Sequence, residues 1–298
     1  MRAVRERVMG TELLTVLSPG EAAAVLGWLR DVEAVFSRFR PESDVSRANA
    51  GGLVAVSELF LRVLDEACAH QERTGGLFSP FLGAELARLG YAVDFDSVGV
   101  AEPTPSGPAA PGRIPRPQVH LDHDDSTIRL PAGVAVDLGG FVKGWSVQAA
   151  ADALLSERGL IDAGGDLVAW RRPTDPPWRV GVTHPLRQEP VGVLELPEAA
   201  AVATSSVVRR SWPSATGGRL HHIIDPRTGD PADSDCLQAT VLAGDLATAE
   251  VHATCLTILG TGEGPAWLAE QDPTAGWLTV DRGGTVRHSP ELPLGRTT

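Results

Sequence analysis

From Val119 onward, short apolar runs recur between turn residues: "VHLDH", "STIRL", "GVAVDLG", "GLIDAGGDLVAW", "RVGVTHP", "VGVLELP", "AVATSS", "LHHIID", "LQATVLAG" and "GWLTVD". Runs of this length and spacing predict strands, with Gly164-Gly165 as a turn between two of them. Helical spacing interrupts the series at about Val142 to Arg158 and in "LATAEVHATCLTILG". The pattern predicts an α+β fold of mostly antiparallel sheets with helices packed on them.

The first ninety residues read differently. After one N-terminal strand, "SPGEAAAVLGWLRDVEAVFSRF" opens with Ser18, Pro19 and Glu21, a capping box with proline at the first helical position. A second helix is predicted from Ser57 to about Arg73, ended by Gly75-Gly76, and a third from Gly83 to Arg88. Ala101 to Gln118 carries six prolines, too many fixed φ angles for any regular element, and reads as a surface excursion. An inserted loop and a linker have the same composition, so this stretch sets no domain boundary.

With 26 Lys and Arg against 38 Asp and Glu the chain carries a formal −12, which opposes capture by a nucleic-acid backbone or an anionic membrane. An anionic substrate would need local compensation from a bound cation or oriented N–H groups. Cys68, Cys236 and Cys255 share no paired spacing, which indicates neither a disulfide framework nor a thiolate metal site. The opening residues lack the apolar core of a signal peptide and no stretch has the length of a membrane helix, so a cytoplasmic protein is expected.

Three stretches could carry chemistry. "VDLGGFVKGW" places Asp137 at a strand end, then glycines, then Lys143 at a helix start, where free N–H groups could meet a phosphate; the more ordinary reading of the spacing is a strand-to-helix turn with a solvated lysine. Glu250 and Thr254 stand four residues apart, on one helix face, as two oxygen donors suited to Mg²⁺, or as a solvated surface charge and its neighbour. "HHIIDPRTG" alternates along a strand, so His221 and His222 face opposite ways, before an Asp-Pro turn closed by Gly229.

Taken in order, "RVMGT", "FSRFRPESDVSRAN", "GGLFSPF", "VDLGGFVKGW", "IDAGGDL", "AVATSS", "HHIIDPRTG" and "TAEVHATCLTILG" resemble the ApbE family of FAD:protein FMN transferases, over nearly the whole chain. The resemblance implies a single ApbE-like domain over 1–298, T-fold-like, of two closely associated subdomains. It implies transfer of FMN from FAD to a serine or threonine of a target flavoprotein, with release of AMP. Met9, Asn49, Gly75, Gly76, Asp137, Lys143 and His222 match positions that contact FAD, with Asp225 and Thr228 shaping the turn beside it. The Gly140 carbonyl and the side chains of Glu250 and Thr254 match Mg²⁺ ligands.

In the transfer that the resemblance implies, Lys143 would steady the charge developing on the leaving group, and His222 and Asp137 are candidate bases on their own chemistry. Departures from the family's pattern are Glu250 for aspartate, Ser79 for the aspartate of a GxFDP motif, "TSS" at Thr204 to Ser206 for TSG, and Asp162 for asparagine. The extra methylene of Glu250 matters because Mg²⁺ demands near-ideal geometry. Two alternatives stay open: an FAD pyrophosphatase yielding FMN and AMP, and an FAD-binding protein with impaired catalysis. The chain has no Asp-x-Ser/Thr-Gly-x-x-Ser/Thr acceptor motif of its own, so the acceptor is expected on another protein.

Overall fold

The computed structural model describes residues 2–91, 117–214 and 218–295. In chain order the strands are β1 Arg2–Val8, β2 Thr11–Leu17, β3 Val54–Ala55, β4 His120–Asp122, β5 Thr127–Arg129, β6 Gly159–Ala163, β7 Leu167–Trp170 and β8 Arg179–Thr183. They continue as β9 Pro190–Glu195, β10 Ala199–Ser206, β11 Ser211–Pro213, β12 Arg219–His221, β13 Cys236–Ala243, β14 Gly276–Asp281, β15 Val286–His288 and β16 Leu294–Gly295. The helices are α1 Pro19–Phe36, α2 Asp44–Asn49, α3 Glu58–Arg73, α4 Gly83–Arg88, α5 Val142–Asp152 and α6 Leu246–Gln271. The chain divides into two compact units, one of Met1–Arg30, Lys143–Arg209 and Asp233–Thr298, the other of Asp31–Val142 and Arg210–Ala232.

The first unit is built on an eight-stranded antiparallel sheet in the order β1-β2-β6-β7-β10-β13-β14-β15. Both faces are covered. Ala201 and Ala203 of β10, Ala239 and Val241 of β13 and Ile161 of β6 pack with Val25 and Leu29 of α1, Val147 of α5, and Ala249, Ala253 and Leu256 of α6. The intervening residues, Ala200 and Val202 of β10 with Leu278 and Val280 of β14, pack with Val182 of β8 and Leu194 of β9. The period-2 pleat thus sends alternate residues into two cores, which is why these strands read as nearly continuous apolar runs.

Several expected elements differ. The single N-terminal strand is a hairpin, because Met9 (φ 52) and Gly10 (φ 66) both take left-handed backbone and close a two-residue turn. Methionine is a weak signal for that conformation. The capping box of α1 forms as expected, Ser18 Oγ donating to Glu21 and receiving its N–H. The α5 helix stops at Asp152 instead of about Arg158, leaving Leu155 fully in solvent before the chain turns into β6. Two strands follow "GWLTVD". The helix after "LAGD" runs on to Gln271 but is two helices joined at Gly260 (φ 84), where Asp235 caps the second through the Thr261 N–H at 2.7 Å.

In the second unit, Ser57 caps α3 through the Phe60 N–H at 3.1 Å, and Gly75 (φ 60) and Gly76 (φ 84) end that helix. The short helix α2 escaped the periodicity, being only six residues long. "GVAVDLG" forms no strand among the described residues: the Asn49 side chain, the Pro80 carbonyl and the Gly83 N–H take backbone groups of Ala135, Val136 and Asp137. The strand in "LHHIID" ends at His221. Of the proline-rich stretch at 101–118, residues 101–116 lie outside the described residues, and Pro117 and Gln118 form no regular element.

Candidate active site

In the first unit the chemistry gathers at the start of α5. The Lys143 ammonium forms an ion pair with Asp166 and lies 3.3 Å from Glu250 Oε1. The Asp166 and Glu250 side chains are only 4% and 7% exposed, so either carboxylate unpaired would carry a severe desolvation cost. The buried position of Glu250 excludes its reading as a solvated surface charge.

Both carboxylates are aimed by the backbone. Asp166 follows the Gly164-Gly165 turn (φ 71 and 99), and its Oδ1 accepts the Thr204 N–H at 2.9 Å. Glu250 Oε2 accepts the Gly144 N–H at 2.8 Å. A Cβ on Gly144 would lie 2.8 Å from both Glu250 Oε2 and the Leu246 carbonyl. That glycine therefore admits α6, not a ligand. The N–H groups expected to be free at this helix start are also engaged, Gly144 by Glu250 and Val142 by the Leu138 carbonyl at 2.8 Å.

Thr254, one turn beyond Glu250, shares a hydrogen bond of 3.1 Å with Ser205 Oγ, and Thr204 shares one of 2.9 Å with Thr240. The "TSS" segment is thereby tied to α6 and β13. Ser146 Oγ reaches Met9 Sδ at 3.8 Å, joining the β1-β2 turn to α5. Asp162 accepts the Gly165 N–H at 2.7 Å, yet burial pushes its carboxyl above the usual range, outweighing that bond and the nearby Lys143 and Arg209 charges. Asp166 and Ser205 were not singled out from the sequence. A carboxylate directly after Gly-Gly was the available signal for Asp166.

The second unit holds the remaining residues. Asn49 donates to the Val136 carbonyl at 2.9 Å and accepts its N–H at 2.7 Å, fixing the segment before Asp137. Asp137 pairs with Arg38 Nε at 2.9 Å and accepts the Gly139 N–H at 2.9 Å, so both oxygens of this candidate base are engaged. Arg38 in turn lies 4.3 Å over the Tyr91 ring, and burial raises that phenol above its ordinary range. Gly140 is exposed, and a Cβ there would meet nothing within 4 Å among the described residues.

Asp225 is buried, its carboxylate accepts from the Arg227 guanidinium through Nε (2.9 and 3.1 Å) and Nη2 (2.8 Å) and from the Arg227 N–H (2.8 Å), and its carbonyl closes the turn through the Gly229 N–H at 2.8 Å. Thr228 Oγ1 accepts the Asp230 N–H at 3.2 Å, and Arg88 clamps the Gly229 carbonyl at 2.8 Å. His221 Nε2 lies 3.2 Å from the Ala232 carbonyl, whereas His222 Nδ1 lies 3.3 Å from that of Arg210. In place of the Ser79 carboxylate counterpart, a buried hydroxyl accepts from Gln71 at 3.0 Å and from the Phe81 N–H at 3.2 Å.

The three cysteines are free and buried, with burial pushing the Cys236 thiol up to about 12 and Cys255 upward as well. Cys236 and Cys255 are protonated packing groups. Among the described residues no three His, Cys, Asp or Glu side chains group as a metal site, and no helix is long and apolar enough to cross a membrane.

Comparison with known proteins gives one result throughout. The FAD:protein FMN transferase of Treponema pallidum is 30% identical over 296 residues, covering 89% of this chain and 80% of that protein. That of Vibrio cholerae is 30% identical over 268 residues, covering 86% and 78%. The ApbE protein of Thermotoga maritima superposes with a TM-score of 0.81 at 26% identity over 97% of each chain. The flavin transferase ApbE of Vibrio cholerae superposes at 0.73 and 23% identity, covering 97% and 96%, a likeness of fold. The ApbE family model matches residues 9–278, and with that span covered the chain belongs to the ApbE family.

Proposed function

We propose that this chain is an FAD:protein FMN transferase: a serine or threonine hydroxyl of a target protein attacks the FMN phosphorus of FAD, the pyrophosphate P–O bond breaks, and AMP leaves. The observation that carries the reading is family membership over 9–278 together with a part-buried ammonium at the start of α5, held by two buried carboxylates. Lys143 offsets charge on the departing phosphate. The Arg210 carbonyl can only accept, so His222 Nδ1 donates to it, which makes Nε2 the basic nitrogen. With Asp137 committed to Arg38, His222 is the proposed base for the acceptor hydroxyl.

Asn49 and Asp225 act on FAD through the backbone they shape, since their side chains are bonded to Val136 and Arg227. Met9, Gly75, Gly76 and Thr228 are proposed contacts at the turns they form. Glu250 and Thr254 are the proposed side-chain donors for Mg²⁺, with the Gly140 carbonyl as the family's further ligand. Their oxygens suit a hard cation, and the Lys143 ammonium 3.3 Å from Glu250 Oε1 supports the reading that this carboxylate attracts positive charge. When bound, Mg²⁺ supplies Lewis-acid polarisation of the pyrophosphate.

Chromatography of nucleotides after incubation with FAD and Mg²⁺ tests the reading. AMP released only with an acceptor protein supports transfer. Free FMN with AMP in its absence supports the pyrophosphatase instead, and unchanged FAD under both conditions supports a binding protein.

A further inference from the structure

We propose that Asp166 is a positioning residue that draws the Lys143 ammonium away from Glu250, so that Lys143 and a divalent cation compete for one Glu250 oxygen. The inference rests on the proposed function for its metal, and it adds a residue and a coupling to that site.

The geometry divides the four carboxylate oxygens. Glu250 Oε2 is committed to the Gly144 N–H, which leaves Oε1 for a cation, and Oε1 is the oxygen that Lys143 faces at 3.3 Å. Asp166 Oδ1 is committed to the Thr204 N–H, which leaves Oδ2 for Lys143, in the closer of the two ion pairs. Two positive charges sharing Oε1 would repel strongly in so buried a place. Asp166 supplies the counter-charge that lets the part-buried Lys143 stay charged while Glu250 turns to the metal. The Gly164-Gly165 turn and the Thr204 bond fix it there, so its carboxylate needs no rearrangement. Thr254 belongs to the same assembly, because the β10 segment that binds Asp166 also bonds Thr254 through Ser205.

The probe is Mn²⁺, titrated without FAD into the full chain by calorimetry. Asp166→Asn keeps an oxygen for the Thr204 N–H and removes only charge. It is expected to weaken Mn²⁺ binding by about tenfold, within the usual range of site-to-site coupling. Asp166→Glu, which keeps the charge, should bind closer to the parent. Lys143→Gln should bind more tightly than the parent, and in that background Asp166→Asn should have a much smaller effect.

Equal binding by the parent and Asp166→Asn overturns the proposal. So does an undiminished Asp166→Asn effect in the Lys143→Gln background, which would mean that Asp166 acts on the metal by its own charge. Should Lys143→Gln fail to fold, the order of Asp166→Asn and Asp166→Glu decides: a merely structural Asp166 would make the Glu variant the worse of the two. Parent and Glu250→Gln binding Mn²⁺ alike would also overturn it. Failure of the transferase reading appears separately, as no AMP release under conditions where the titration still gives these orders.

Discussion

Glu250 accepts the backbone N–H of Gly144 at 2.8 Å, across 106 residues of sequence. One oxygen of this carboxylate is spent on holding α6 against α5, and the other faces the Lys143 ammonium. Structural and chemical duties therefore fall on different atoms of one side chain, and substitutions can separate them.

Gly144→Ala is expected to destabilise the chain by about 1–3 kcal/mol, the usual cost of forcing atoms into filled space. Its Cβ would lie 2.8 Å from Glu250 Oε2 and from the Leu246 carbonyl. Urea denaturation measures this, and unchanged stability would mean that α5 and α6 can separate freely.

Glu250→Gln keeps an acceptor for Gly144 but loses the charge, so FMN transfer is expected to fall by about tenfold or more. Glu250→Asp keeps the charge at the shorter length that the family resemblance implies here, so transfer should persist or rise. That variant withdraws from Gly144 and should lose about 1 kcal/mol of stability. The two variants thus rank oppositely in activity and stability. Equal transfer by Glu250→Gln and the parent at limiting Mg²⁺ would remove Glu250 from the chemistry.

Asn49→Asp cannot donate to the Val136 carbonyl, and Asn49→Ala abandons both bonds to Val136. Both should destabilise by about 1–3 kcal/mol, the cost of a buried polar group left unpaired, with the alanine variant worse. A thermal melt without FAD reads the effect. Full stability with weakened FAD binding would instead place the Asn49 amide on the cofactor.

Asp162 carries a pH signature. Burial raises its folded-state pKa above the unfolded value, so folding favours the protonated form and stability falls as pH rises from the unfolded value through the folded one. Asp162→Asn can still accept the Gly165 N–H and removes the buried charge. It should stabilise the chain at neutral pH, and the gain should vanish below the ordinary carboxylate range, where both states are protonated. Melting temperatures across pH test the sign.

The sequence carried much of this because the informative patterns were local. The Ser18-Glu21 box, the Gly75-Gly76 helix end and the Gly164-Gly165 turn each depend on neighbours a few residues away, and each forms. The misses depend on distant partners. "GVAVDLG" has the apolar content of a strand, yet Asn49, 87 residues earlier, takes the Val136 backbone. The Met9 turn is imposed by the register of β1 on β2, against the preference of methionine. Lys143 and Glu250 were legible as types at suggestive spacing. Asp166 offered only its place directly after Gly-Gly, because the fold alone brings the residue after a hairpin turn onto a lysine at a helix start.

The most direct measurement is in-gel flavin fluorescence after denaturation, with the purified chain, FAD, Mg²⁺ and a second protein bearing an Asp-x-Ser/Thr-Gly-x-x-Ser/Thr segment. Covalent fluorescence should appear on the added protein, require FAD rather than FMN, vanish when the acceptor Ser/Thr is alanine, and be absent from the chain itself. FAD consumed with no fluorescent protein band, or label on this chain alone, would contradict transfer to a separate acceptor.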